Sequence, residues 1–262
     1  MIRARAFTLA LTVLIVAGAT LLLTGCAGTT EVQERRDRAA QVNVELGQHY
    51  LRRGELRHAK ENLDRALEQD PGSAQVQAAQ AMLQERLEKI DRADRHYRRA
   101  LSLASDSDAG MLWNNYGAFL CRQDRLEDAE EAFAKAARDP LYPTPEMAWT
   151  NAGVCAQKVP DADKAERLLR RALEEEPQHA PALLEMMRLS FEAERHLQVR
   201  AYFQRLREVT RPSAEMLWMC HQAERALGNR DEAGRCALRL KNDFPDSEET
   251  TRLRDLENRD NR

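Results

Sequence analysis

Aromatic residues and strand-like alternation are scarce in this chain of 262 residues. Phe, Trp and Tyr make up 5% of it, and the alternation of apolar and polar residues that is typical of half-buried strands is nearly absent. The strong helix formers Ala, Leu, Glu, Arg and Gln dominate instead. This composition argues against a fold built on strands and predicts a protein that is almost wholly α-helical.

A surplus of basic residues is also lacking. Lys and Arg number 40 against 43 Asp and Glu, which gives a formal net charge of −3 at pH 7. A chain without excess positive charge releases few counterions from phosphates. We therefore expect no nucleic-acid partner.

Motifs for catalysis or metal binding are missing as well. The sequence contains no Gly-x-Ser-x-Gly elbow, Walker loop or Gly-x-Gly-x-x-Gly stretch, and its six histidines lack the paired i, i+4 spacing with a glutamate. We expect a protein that is not an enzyme, takes no small-molecule substrate and requires no metal or dissociable cofactor.

The N-terminal segment has the order of an export signal. Arg3 and Arg5 precede an uncharged apolar run over residues 6–23. The run ends in Leu-Thr-Gly-Cys at 23–26, which resembles the lipobox of bacterial lipoproteins. The resemblance implies that residues 1–25 are removed and that Cys26 carries a covalent lipid; an ordinary signal peptide with a chance cysteine is the alternative.

The residue after the cysteine bears on where the lipoprotein is sorted. An aspartate there resembles the signal for retention in the inner membrane, and this chain has Ala27 instead. We expect the protein to be anchored by its lipid to the periplasmic face of the outer membrane. Residues 26–39 are predicted to be a lipidated tether.

Beyond the tether, a pattern of small and apolar residues recurs every 34 to 36 residues. Gly47, Gly117 and Gly153 mark one helix of a unit, and small or branched residues mark the next at Ala59, Ala93, Ala129, Ala165, Val199 and Ala233. The pattern resembles the tetratricopeptide repeat, a helix-turn-helix unit whose small residues let its two helices approach closely. Met187 and His221 take the glycine position in the fifth and sixth units, so we expect the packing there to deviate from that of the other units.

The resemblance implies an all-α, right-handed superhelical solenoid of about six tetratricopeptide repeats over residues 40–247. The repeats are expected at 40–73, 74–107, 110–143, 146–179, 180–213 and 214–247, followed by a charged helix or tail at 248–262. An irregular bundle of alanine-rich helices is the alternative.

In this repeat family the first helices line a groove, and the residue two places before the glycine points into it. Asn115 and Asn151 hold that position here. A carboxamide both donates and accepts a hydrogen bond, which suits an extended peptide. Asparagine is, however, common at this position whatever the ligand, so the resemblance leaves direct contact with a partner open.

A second candidate surface is apolar. Val44, Leu51 and Met82 fall near the groove of the first repeats and would either receive an apolar segment of a partner or form ordinary core between repeats. Trp113, Trp149 and Trp218 would either pack in the seam between helices or form a platform for a ligand, and we expect the seam.

Four cysteines remain once Cys26 is lipidated, an even number in an oxidising compartment. Cys121 and Cys155 lie near the ends of first helices that run side by side in this fold, so we predict a disulfide between them. Cys220 and Cys236 flank one turn of the sixth repeat; they form either a second disulfide or buried free thiols.

The lipobox followed by about six repeats resembles the type IV pilus biogenesis lipoproteins that serve as pilotins of the pilus secretin. The similarity lies in residues 113–121 (WNNYGAFLC), 139–143 (DPLYP) and 151–155 (NAGVC). It implies a scaffold that binds secretin subunits and brings them to the outer membrane. A lipoprotein of β-barrel or cell-wall assembly machinery is the alternative.

Overall fold

The computed structural model describes residues 31–159 and 162–260, and all regular secondary structure in these ranges is helical. Cys26 and the predicted signal peptide lie outside the described residues. No helix within the described ranges combines the length and the apolar character that crossing a membrane requires.

Thirteen helices follow one another in the described part of the chain. Helix α1 covers residues 31–52. The others are α2 (Leu56–Gln69), α3 (Ala74–Arg86), α4 (Ile90–Leu103), α5 (Asp106–Arg122), α6 (Leu126–Ala137), α7 (Pro145–Ala156), α8 (Ala162–Glu175), α9 (Ala180–Glu192), α10 (His196–Val209), α11 (Ala214–Ala226), α12 (Arg230–Asp243) and α13 (Glu248–Asp260).

The chain divides into two compact units. The first ends at Ser105 and contains α1 to α4; the second begins at Asp106 and contains α5 to α13. Within each unit, consecutive helices pair as helix-turn-helix hairpins. In the second unit the first helices of successive hairpins also contact one another, α5 with α7, α7 with α9 and α9 with α11. Each unit is therefore a stack of tetratricopeptide-type hairpins.

The turn inside the hairpins has the same backbone conformation in five of the repeats. One residue adopts a positive φ of 54° to 75° at equivalent positions: Gly54, Glu88, Asp124, Glu194 and Gly228. The residue after it donates its N–H to the carbonyl five positions earlier at 2.8 to 3.0 Å, which is the hydrogen bond of a Schellman C-cap. Glycine adopts this conformation without steric cost. The three acidic residues adopt it at a steric cost, because their Cβ atoms crowd the backbone.

Glycines at the hairpin seam are required by close packing. A Cβ atom at Gly117 would lie 2.8 Å from Cδ1 of Phe133, and one at Gly153 would lie 2.7 Å from Cγ of Leu169. Both opposing side chains are almost fully buried, so they have little room to move. The two helices of these hairpins approach as closely as they do because the first helix has no side chain at that point.

The fifth and sixth repeats solve the same packing problem with larger residues. Met187 is fully buried in a cluster that also contains Val199, since a flexible thioether chain fits an irregular gap. His221 is buried too, and its Nδ1 lies 3.0 Å from the carbonyl oxygen of Ala233. The imidazole therefore sits at the seam by hydrogen bonding to the second helix.

The described helices extend on both sides of the repeat region. Helix α1 includes residues 31–39 of the predicted tether, which are mostly exposed and carry an ion pair of 2.6 Å between Arg35 and Glu31. Good helix formers with i, i+4 pairing explain why this segment is helical. At the other end, α13 buries Leu253 completely, and the Thr250 hydroxyl donates to the carbonyl of Phe244 at 2.7 Å.

Candidate partner-binding site

The first helices of the third and fourth repeats carry a pair of hydrogen-bonded amides. Nδ2 of Asn151 on α7 donates to Oδ1 of Asn114 on α5 at 2.9 Å. Asn151 is one of the two residues predicted to line the groove, whereas its hydrogen-bonding partner is Asn114 and not the other predicted residue, Asn115; contact of Asn115 with a partner stays a prediction. Neighbouring residues point about 100° apart around a helix, so half-buried Asn115 lies on a different line of α5 from the amide pair.

Exposed apolar side chains surround this pair. Met111 precedes Asn114 by three residues, while Met147 and Val154 lie four residues before and three residues after Asn151. Helix periodicity places them on the same faces as the two amides. Met111 is 42% exposed, Met147 37% and Val154 44%. The face thus presents apolar surface around a polar centre, an arrangement suited to binding another protein.

A charged network follows on the next first helices. Gln157 donates to Glu185 at 3.2 Å, and the Arg188 guanidinium donates through Nε and Nη2 to both oxygens of Glu215, each at 2.6 Å. Arg188 also pairs with Glu185. Hydrogen bonding from Arg188 lowers the pKa of the Glu215 carboxyl. The network links α9 to α11, and its residues had no distinguishing signal in the sequence beyond ordinary helix charges.

Two disulfides are formed among the cysteines of the second unit. Cys121 and Cys155 join α5 to α7 with their Cα atoms 5.8 Å apart. Cys220 and Cys236 join α11 to α12 with their Cα atoms 6.2 Å apart. The first bridge lies at the end of the helices that carry the amide pair, and Lys158 Nζ donates to the carbonyl of Cys121 at 2.8 Å beside it.

The apolar groove expected in the first repeats is largely core. Val44 and Leu51 are 6% and 4% exposed and pack with Leu63 and Leu83 in one cluster. They are therefore not available to a partner, because α2 and α3 cover them. Met82 is different, since 37% of it is exposed.

Trp113 and Trp149 each contact the second helix of their own hairpin. Trp149 is 5% exposed, and the guanidinium of Arg171 on α8 lies 4.8 Å from its ring centroid. Trp113 has Lys135 of α6 at 4.4 Å in the same arrangement, a cation–π contact. Trp218 is half-buried against the core of the last repeats. None of the described residues forms a group of three or more His, Cys, Asp or Glu side chains that could hold a metal ion.

The stacked hairpins define a tetratricopeptide-repeat protein, and the face that its first helices present around the Asn114–Asn151 pair is its candidate binding site. No protein-family model matches the chain. The type IV pilus assembly protein PilF of Pseudomonas aeruginosa is 31% identical over 230 residues, which are 86% of this chain and 90% of PilF. An uncharacterized protein of Haemophilus influenzae is 29% identical over 150 residues, 57% of this chain and 83% of that protein.

Comparison with solved structures gives the same relatives. The structure of P. aeruginosa PilF superposes with a TM-score of 0.67 at 30% identity, covering 84% of this chain and 98% of PilF. That of PilW, a widely conserved type IV pilus biogenesis factor, gives 0.67 at 32% identity, covering 82% and 97%. The tetratricopeptide-repeat protein YrrB, with a TM-score of 0.53 at 18% identity, shares the fold. The chain belongs to the type IV pilus biogenesis family of PilF and PilW.

Proposed function

We propose that this protein is a lipid-anchored, non-catalytic scaffold of the outer membrane that binds subunits of the type IV pilus secretin and promotes their localisation and multimerisation. Membership of the PilF and PilW family is the observation that carries the proposal, since those relatives are an assembly protein and a biogenesis factor of the type IV pilus. The lipobox at Cys26 supports the anchor, and the exposed first-helix face supports protein binding.

The mechanism needs the anchor and the binding face on one molecule. A diacylglycerol thioether and an amide-linked acyl chain on Cys26 bury enough methylenes to hold the protein at the membrane. The described part of α1 begins at residue 31, a few residues after the anchor. A subunit bound to the helical domain is then confined near the membrane surface, which raises its effective concentration for ring assembly.

The central test is deletion of the gene in its own host, with secretin multimers and monomers measured in separated inner and outer membranes. We expect multimers to fall, monomers to remain in the inner membrane and surface pili to be lost. Normal multimers in the deletion strain would refute the proposal. Loss of other outer-membrane proteins with normal secretin would favour β-barrel assembly, and altered peptidoglycan with normal secretin would favour cell-wall assembly.

A second test addresses the anchor. Because the thiol is the only lipid acceptor, Cys26→Ser should abolish lipidation and shift the protein away from the outer membrane while the helical domain still folds. The fractionation is done in a strain without secretin, so that a partner does not hold the protein at the membrane. Co-sedimentation of Cys26→Ser with the outer membrane at the parental level would contradict the lipobox assignment.

A further inference from the structure

Two neighbouring first helices of the second unit carry long stretches without charged residues. Charged residues make up 32% of the chain, yet residues 109–121 of α5 and 147–156 of α7 contain no Asp, Glu, Lys, Arg or His. Core packing explains the apolar residues that are buried there. It does not explain Met111, Met147 and Val154, which are 37% to 44% exposed. We call these three residues and the Asn114–Asn151 pair the charge-free face.

The amide pair leaves hydrogen-bonding groups for a ligand. The bond from Asn151 to Asn114 uses one N–H of Asn151 and the oxygen of Asn114. The Nδ2 donors of Asn114 and the Oδ1 acceptor of Asn151 remain. One donor next to one acceptor matches the C=O and N–H of a peptide group in an extended chain. A helix would not use them, because its backbone groups are already paired internally.

We propose that the charge-free face binds an extended, uncharged, apolar segment of a partner protein; the identity of that partner as a secretin subunit rests on the function proposed above. Charged side chains of the partner are disfavoured because none of the five residues of the charge-free face carries a charge that would offset their desolvation. The eight residues from Met147 to Val154 rise about 10 Å along the helix axis, which equals about three residues of extended chain.

The disulfide between Cys121 and Cys155 supports this assignment. It fixes α5 against α7 at one end of the charge-free face, so the two amides and the three apolar side chains keep their relative positions. A preorganised face loses less conformational entropy on binding. The charged network of Glu185, Arg188 and Glu215 begins on the next first helix and bounds the charge-free face on its C-terminal side.

Site-specific photo-cross-linking in living cells tests the proposal. The full-length protein carries p-benzoylphenylalanine at Met111 or Val154, and at Leu197 or Leu238 as controls, which are 65% and 57% exposed on the second helices α10 and α12. We expect secretin adducts from Met111 and Val154 only, with the cross-linked secretin peptide free of charged residues over at least three positions. Cross-links to lipid instead of protein, or to a charged or helical segment, would overturn the proposal.

Substitutions test the energetics with purified full-length protein and secretin. Val154→Lys places a charge on the face without touching the core and should weaken secretin binding at least tenfold, while Leu238→Lys should leave it unchanged. Asn114→Ala removes one hydrogen bond to the ligand and should weaken binding about two- to tenfold, with Asn62→Ala on α2 as its control.

The outcomes separate this inference from the proposed function. Equal effects of Val154→Lys and Leu238→Lys, or secretin adducts only from the control positions, would overturn the charge-free face as the site while secretin dependence in the deletion strain still stands. Thermal unfolding of each variant is measured in parallel. If Val154→Lys lowers the melting temperature, Met147→Lys replaces it and should weaken binding by a similar factor, because it places a charge on the same face.

Discussion

A single added methyl group at Gly153 should destabilise the protein, although alanine is the better helix former. In Gly153→Ala the new Cβ would lie 2.7 Å from Cγ and 2.8 Å from Cδ2 of Leu169, and 3.3 Å from that residue's backbone nitrogen. Leu169 is fully buried, and its backbone belongs to α8. Relief of the clash therefore requires the two helices of the fourth repeat to move apart.

The magnitude follows from two opposing terms. Replacing a helical glycine by alanine contributes about 1 kcal/mol of stability through helix propensity. Overpacking a tight seam costs about 1 to 3 kcal/mol. The net expectation is a loss of about 0 to 2 kcal/mol, which corresponds to a fall of up to about 8 °C in the melting temperature for a chain of this size.

Gly234→Ala is the matched control. Gly234 also lies inside a helix, α12, but no atom comes within 4 Å of a Cβ built there, so only the propensity term applies and stability should rise by about 0.5 to 1 kcal/mol. Urea unfolding followed by circular dichroism measures both variants. Stabilisation by Gly153→Ala equal to that by Gly234→Ala would refute the argument that close packing requires glycine at the seam.

Three further predictions concern other features. Cys121→Ser with Cys155→Ser should lower the free energy of unfolding by about 3 to 4 kcal/mol, since the bridge closes a chain segment with a separation of 34 residues; an unfolding midpoint unchanged from that of the oxidised parent would contradict this. Glu194→Gly should raise stability by about 0.5 to 1 kcal/mol by removing the cost of positive φ, which thermal unfolding checks. Arg188 lowers the pKa of Glu215 below its ordinary value of 4.5. The stability from this pair is therefore present above about pH 4.5 and lost as the pH falls through the lowered pKa, and Glu215→Gln should flatten the acid side of the stability–pH curve.

The fold was predictable because its packing constraint is local and periodic. A residue at the closest point between two helices must be small, and this requirement returns at Ala59, Ala129 and Ala165, all fully buried. The sequence therefore reveals the register of the hairpins directly. In the last repeats the register is not visible in the sequence, because Met187 and His221 replace the small residue. The flexible side chain of Met187 and the hydrogen-bonded ring of His221 fit at the seam instead.

The candidate site was harder to predict. Asn151 was predicted to line the groove, but its bond to Asn114 depends on the rotation of one helix against its neighbour, which periodicity does not give. Val44 and Leu51 suit a groove and a core equally well by residue type. Only the packing of α3 on α1 and α2 decides that they are core.

The order of contacts in the second unit sets how local stability is distributed. Helices α5, α7, α9 and α11 each contact their neighbours in the stack, so an opening at the C-terminal end can remain confined to α13 and the last hairpin. Disulfides bind α5 to α7 and α11 to α12 covalently, which makes these two pairs of helices the least free to separate. Within the second unit, amide protons should accordingly exchange fastest in α13, which no disulfide holds, so that local opening is greatest away from the charge-free face.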